Sequence, residues 1–240
     1  MELHLHGCKN LQSIKGIPRN IKTLYVKFCS SLKDLDLTQP PASTQECHLL
    51  KELYLCGCEN LQDIKGIPSN ILAISASNCQ SLTAKCRSLL LSKELHEAGV
   101  RKYFIFPGTK IPEWFEHCIN GSSISFWFRN KFPAISLCVV AGSKKYSSII
   151  PIFTINGRRN LSKRRWVHLY QMDDHVVIFD EMEKPVHMDG VLLENEWNHV
   201  VCTVSHSDSS NPCEVFIKQI GIYVFKQGSN MDDIQFTQPL

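Results

Sequence analysis

Long apolar runs are missing from this 240-residue chain. Nothing approaches the ~18 consecutive apolar residues of a membrane-spanning helix, and the start, with His4, His6, Lys9, Lys15 and Arg19, holds no apolar block of the export type. Charge of one sign is also scarce: Lys+Arg 26 against Asp+Glu 23 leaves +3, too weak for a chain whose task is to neutralise phosphates or anionic lipid. No G-x-x-x-x-G-K-[ST] loop is present to cradle a nucleotide. A membrane drops out as a partner, nucleic acid is disfavoured, and no cofactor is implied. With 43% hydrophobic and 20% charged residues the composition is that of a folded protein, one large domain or two small ones.

Cysteine is abundant, but its number, 11, is odd and its spacing does not suit a secreted disulfide framework. Free thiols in a reducing compartment, cytoplasmic or nuclear, are the expectation.

The first third repeats itself. Leu3-His-Leu-His-Gly-Cys8-Lys-Asn-Leu11 aligns on Leu53-Tyr-Leu-Cys-Gly-Cys58-Glu-Asn-Leu61 at an offset of 50, and 17 of the 30 positions from Leu3 to Leu32 are identical to Leu53 to Leu82. A finer period of 21 relates Leu3, Cys8 and Leu11 to Leu24, Cys29 and Leu32, and Leu53, Cys58 and Leu61 to Ile74, Cys79 and Leu82. The unit L-x-L-x-x-C-x-x-L is that of a leucine-rich repeat. Alternation puts both leucines on one face of a short strand, and stacked strands bury them in a continuous core. Cys8, Cys29, Cys58 and Cys79 are expected as buried, unpaired thiols, and the loop Thr38–Gln45 absorbs the eight residues by which one interval exceeds 21. About four strands are visible, without a polar cap in front, so the chain reads as the end of a longer array.

Leu82, Leu89, Leu90, Leu91 and Leu95 then recur at near-helical spacing up to Gly99, as a short helix capping the repeats. Beyond it the period becomes two, in seven segments: 124–128, 134–140, 149–155, 166–170, 175–179, 197–204 and 214–225. Seven short strands between turn residues argue an antiparallel sandwich. The expected class is α+β to mainly β: a leucine-rich-repeat solenoid end over 1–83, a capping helix and linker over 84–102, a β-sandwich over 103–227 and a tail over 228–240.

Three segments carry a family resemblance: Phe106-Pro-Gly-Thr-Lys-Ile-Pro-Glu-Trp-Phe115, Gly121-Ser-Ser-Ile-Ser-Phe126 and Ile220-Gly-Ile-Tyr-Val-Phe225. With the L-x-L-x-x-C repeats upstream, the chain resembles the end of plant intracellular immune receptors of the TIR class, where a jelly-roll or immunoglobulin-like domain follows the leucine-rich repeats. That resemblance implies recognition of a pathogen effector or another part of the receptor, and self-inhibition. It departs from the family in lacking the TIR and nucleotide-binding modules, so the chain reads as a truncated receptor that binds without signalling.

Other chemistry is thinner. Cys56 and Cys58 with His4, His6 and His48 suggest a metal site, but the one-residue spacing is tight for structural zinc and the repeat already accounts for Cys58. His168, His175, His187, His199 and His206 near Ser205, Ser207 and Asp208 lack a nucleophile elbow. Asp173, Asp174, Asp180, Glu181 and Glu183 read as a solvated turn, and Trp114 and Phe115 as aromatics buried to pin a loop.

No catalysis, metal or cofactor is expected, and the partner is a protein. The positions facing outward between the repeat leucines, His4, His6, Tyr25, Lys27, Tyr54, Cys56, Ser75 and Ser77, are the candidates for binding it. Arg158, Arg159, Lys163, Arg164 and Arg165 form an exposed basic loop that adds charge. The alternative is a free-standing β-sandwich enzyme or a lectin-like binding protein, since architecture does not fix function.

Overall fold

The computed structural model describes residues 1–38, 49–96, 102–160, 167–169, 172–181, 190–206, 215–225 and 230–238. The chain divides into two compact units, Met1–Thr109 with His175–Val177, and Lys110–Asp174 with Ile178–Leu240. Among the described residues the fold is mainly β, with one α-helix.

The first unit is built from the repeats. Its strands are β1 (Glu2–His6), β2 (Ser13–Lys15), β3 (Thr23–Lys27), β4 (Asp34–Asp36), β5 (Glu52–Tyr54), β6 (Asp63–Lys65), β7 (Ala73–Ser75) and β8 (Tyr103–Pro107), with α1 (Ala84–Leu90) between the last two. They form two parallel ladders, β1-β3-β5-β7-β8 and β2-β4-β6. Sequence period and register coincide: Leu3 pairs with Leu24, Leu24 with Leu53, Leu53 with Ile74 and Ile74 with Phe104. Leu24, Val26, Leu53, Leu55 and Ile74 are fully buried.

Between the ladders each copy makes the same turn. The amide of Leu11, Leu32, Leu61 or Leu82 donates to the carbonyl of Cys8, Cys29, Cys58 or Cys79, at 3.0–3.3 Å. The residue before the cysteine has a left-handed backbone every time: Gly7 (φ 64°), Phe28 (57°), Gly57 (72°) and Asn78 (61°). Cys29, Cys58 and Cys79 are buried, and each thiol donates to a carbonyl of the preceding copy, that of Leu5, Val26 or Leu55. Cys8, in the copy at the edge of the ladder among the described residues, is only half-buried, against the expectation of a buried thiol. Most of the Thr38–Gln45 loop lies outside the described residues.

The helix starts where Thr83 caps it, its hydroxyl accepting from the Cys86 amide at 3.1 Å and donating to Asp63. It runs for seven residues and is followed by a 3₁₀ turn at Lys93–His96; the expected stop at Gly99 lies outside the described residues. The unit ends at Thr109, past the 102/103 boundary read from the sequence, because β8 pairs in parallel with β7.

The second unit holds β9 (His117–Asn120), β10 (Ser123–Phe128), β11 (Ile135–Ser143), β12 (Ser147–Ile155), β13 (Arg158–Asn160), β14 (Val167–Leu169), most of β15 (Met172–Glu181), β16 (Asn198–His206), β17 (Val215–Val224) and β18 (Ile234–Gln235). One antiparallel ladder is β11-β17-β9, and another is β13-β12-β16-β10-β18 with β14 also on β12. Pro151 sits mid-strand in β12, where the outer ladder changes partner from β14, paired at 147–149, to β13, paired at 153–155. A proline amide has no hydrogen to donate, so the change of partner falls where the ladder needs none. The core carries Phe126, Phe128, Phe153, Leu137, Ile149, Val200 and Ile222.

The loop-pinning block is anchored on the Ile220–Phe225 strand. A Cβ on Gly221 would lie 3.1 Å from Ile111 Cγ2 and 3.0 Å from Cys118 Sγ, so any larger residue would push these side chains back by a few tenths of an ångström. Phe115 is buried as expected; Trp114 is half-buried, its ring 4.2 Å from Phe115 and edge-on to Tyr223 at 5.2 Å.

Candidate functional site

Parallel in-register pairing brings outward-facing residues of successive repeats into rows. His4 pairs with Tyr25, Tyr25 with Tyr54 and Tyr54 with Ser75. Neighbouring strands lie about 4.8 Å apart, close to the stacking distance of aromatic rings, and the side chains use it. The His4 and Tyr25 rings are 4.4 Å apart at 11°, and those of Tyr25 and Tyr54 4.9 Å apart at 8°. His4 is exposed, and both tyrosines are half-buried. The three rings form one ladder across β1, β3 and β5.

Charge flanks the ladder with opposite sign on its two sides. Two residues earlier on β1 and β5 stand Glu2 and Glu52, whose carboxylates accept from His4 Nε2 at 3.2 Å and from the Tyr54 hydroxyl at 3.4 Å. Two residues later stand His6 and Lys27, with Lys27 Nζ 5.3 Å from the centre of the Tyr25 ring and 5.6 Å from that of Tyr54. Burial, followed by the negative charge of Glu2 and Glu52, pushes the Tyr25 hydroxyl above its ordinary pKa, so the ring stays a neutral donor.

Six of the eight strand-face candidates are therefore brought together: His4, His6, Tyr25, Lys27, Tyr54 and Cys56. Ser75 and Ser77 are a correction. Both are buried, at 7% and 2% exposed; β8 extends the ladder past β7 and pairs Ser75 with Ile105. The Ser75 hydroxyl is taken by the Cys56 thiol at 3.2 Å.

The basic segment also needs correcting. Arg158 and Arg159 are exposed but lie in β13, paired with Ile155 and Thr154 across a two-residue turn, rather than in a loop. Asn156 (φ 49°) and Gly157 (φ 79°) are both left-handed, and Asn-Gly between two extended runs is a strong hairpin signal in the sequence itself. Lys163, Arg164 and Arg165 lie outside the described residues, as do His48, Glu183, His187, Ser207 and Asp208. Asp173 and Asp174 are in β15 rather than a turn, and Lys218 Nζ reaches Asp174 at 2.6 Å. His168 stacks on Tyr146 and His199 on Trp127, while His175 accepts from the Asn78 amide at 3.0 Å.

One polar cluster was not singled out from the sequence. Asn198, 1% exposed, accepts from the Asn156 side chain and the Leu193 amide, both at 2.8 Å, and donates to the carbonyls of Leu193 and Glu196. Asn156 in turn donates to the Val191 carbonyl and accepts from the His199 amide. Two asparagines thus tie the Val191–Glu196 segment to the β12–β13 turn. The signal available was Trp197-Asn-His199, a polar residue inside an apolar strand.

Similarity to known proteins covers the aromatic block and the strands after it. The profile described as the C-JID domain matches residues 106–232, more than half of the chain. The chain belongs to the C-JID family. Over 206 residues this C-JID chain is also 28% identical to the Disease resistance-like protein CSA1 of Arabidopsis thaliana, an alignment covering 80% of the chain and 16% of that relative. The chain thus spans about a sixth of the curated relative's length. The resemblance to the C-terminal region of a plant TIR-class immune receptor is borne out by both matches.

Proposed function

We propose that this C-JID chain is a non-catalytic recognition module of plant defence, binding a protein partner, either a pathogen effector or another part of an immune receptor, in the cytoplasm or nucleus. The first unit acts as the end of a leucine-rich-repeat solenoid and the second as a jelly-roll or immunoglobulin-like sandwich. The observation that carries this reading is the ladder His4–Tyr25–Tyr54, flanked by carboxylates and a lysine on a face whose packing does not require them. Aromatic side chains with polar tips are the usual energetic centres of protein interfaces. A specific interface takes about 800 Å² from each partner, more than the short strand face offers, so the second unit contributes through Arg158, Arg159 and the basic run after them.

The test is a kinetic series on the whole chain against a protein captured from pathogen-challenged plant tissue. Tyr25→Ala and Tyr54→Ala should each speed dissociation about tenfold or more. Arg158→Ser with Arg159→Ser should slow association and flatten its salt dependence, as rim charges do. Unchanged kinetics in all the variants would refute the assignment.

A further inference from the structure

The repeat supplies its own control for one residue. At the left-handed position before each repeat cysteine, three copies carry Gly7, Gly57 and Asn78, the residue types that adopt this conformation at little cost. The fourth carries Phe28 at φ 57°, a bulky side chain in a region such residues rarely enter. Nothing about the turn asks for it, since the amide of Phe28 donates to the Cys56 carbonyl at 2.9 Å just as that of Gly57 donates to Ser77 at 2.8 Å.

Phe28 does not escape into the core in exchange. It is 62% exposed, the most exposed large hydrophobic residue among those described. Its ring lies over Gly57, where a Cβ would come within 2.5 Å of Phe28 Cδ1. The corresponding glycine of the next copy thus serves as a floor that holds the ring in place. Phe28 directly follows Lys27, at the end of β3 where His6 and Lys27 stand and the carboxylates of Glu2 and Glu52 do not.

We propose that Phe28 is the anchor with which the strand face grips its protein partner, and that the partner presents an apolar socket beside a carboxylate, the first for the ring and the second for Lys27. This rests on the recognition function above and adds its specificity-determining residue. A backbone strain retained at an exposed aromatic, next to a cation and beside an aromatic ladder, is what a binding contact requires and a folding contact does not.

The experiment uses peptides selected on the intact chain from a phage-displayed random library, then assayed against variants. Phe28→Asn installs the residue type that Asn78 supplies at the same position of the last copy. It should melt at or above the wild-type temperature and bind the selected peptides at least about tenfold more weakly. Lys27→Ala should weaken those peptides that carry Asp or Glu, and Leu89→Ala, exposed on α1, should leave affinity unchanged. If Phe28→Asn lowers the melting temperature, the ring is a packing element and the proposal falls. If peptide binding survives Phe28→Asn but is lost in Tyr25→Ala and Tyr54→Ala, the strand face stands and its anchor is misassigned. If no selected peptide depends on Phe28, Tyr25 or Tyr54, both readings fail together.

Discussion

The Cys58 thiol donates to the carbonyl of Val26, 3.1 Å away in the preceding repeat, in a buried contact that ties one copy to the next. Burial pushes this thiol up to about 12, and raises those of Cys29 and Cys79 as well. With the folded value raised, the folded state holds a proton that the unfolded chain releases above about 9. The contribution to stability is therefore complete below pH 9 and declines as pH climbs toward 12.

Labelling the folded protein with iodoacetamide at pH 8, followed by peptide mass spectrometry, should modify exposed Cys118 and half-buried Cys8 quickly. Cys29, Cys58 and Cys79 should react only after unfolding. Fast modification of these three would contradict their place in the repeat core.

His96 should make the first unit sensitive to acid. The ring is fully buried, its Nε2–H donates to the Leu90 carbonyl at 2.8 Å, and it meets Phe104 edge-on at 4.5 Å. Burial holds its pKa down to about 4. The unfolded chain takes up a proton near 6.5 and the folded one does not, so stability is complete above 6.5 and is lost as pH falls toward 4, on the order of 3 kcal/mol across that window. His96→Gln keeps a donor for Leu90 and removes the titration. Urea unfolding at pH 7 and pH 4.5 should show a smaller loss in the variant; equal losses would place the acid sensitivity elsewhere.

Asn198→Ala should cost about 2–4 kcal/mol, because it strips buried partners from Asn156, Leu193 and Glu196 at once. Hydrogen exchange should accelerate at the Leu193 amide, while amides of β11 and β17 keep their protection until global unfolding. A uniform change over all amides would mean that the two asparagines support the whole unit rather than this segment.

The first unit was legible because its signal is redundant: four copies of an alternating apolar pair and a Cys state one register, and that register is the one observed. The seven alternating segments likewise match β10–β12 and β14–β17 within a few residues. What escaped was context. Ser75 and Ser77 sit at outward-facing positions and yet are buried, Ser75 against β8, a strand with no L-x-L signature. Phe28 was invisible for a related reason, since a left-handed backbone at a phenylalanine is legible only after its repeat equivalents have been placed in the same turn. Asn156-Gly157 was in plain sight, and reading it as a hairpin would have moved Arg158 and Arg159 from a loop to a strand.

Trp114 is the position where sequence and structure imply different magnitudes. A large aromatic emptied from a fully packed core costs about 3–5 kcal/mol. Trp114 is only half-buried, with Phe115 on one side and the edge of Tyr223 on another, so Trp114→Ala should cost about 2 kcal/mol. Phe115→Ala should cost more, because that ring is 4% exposed and closes the turn in which its amide donates to Pro112 at 3.0 Å. Paired urea titrations of the two variants decide between the readings. Phe115→Ala the more damaging means that the block is a clamp on the Ile220–Phe225 strand, with Trp114 as its outer layer. A Trp114→Ala chain that melts like wild type and yet loses its partner would instead make Trp114 a contact residue, and would add it to the second unit's share of the binding surface.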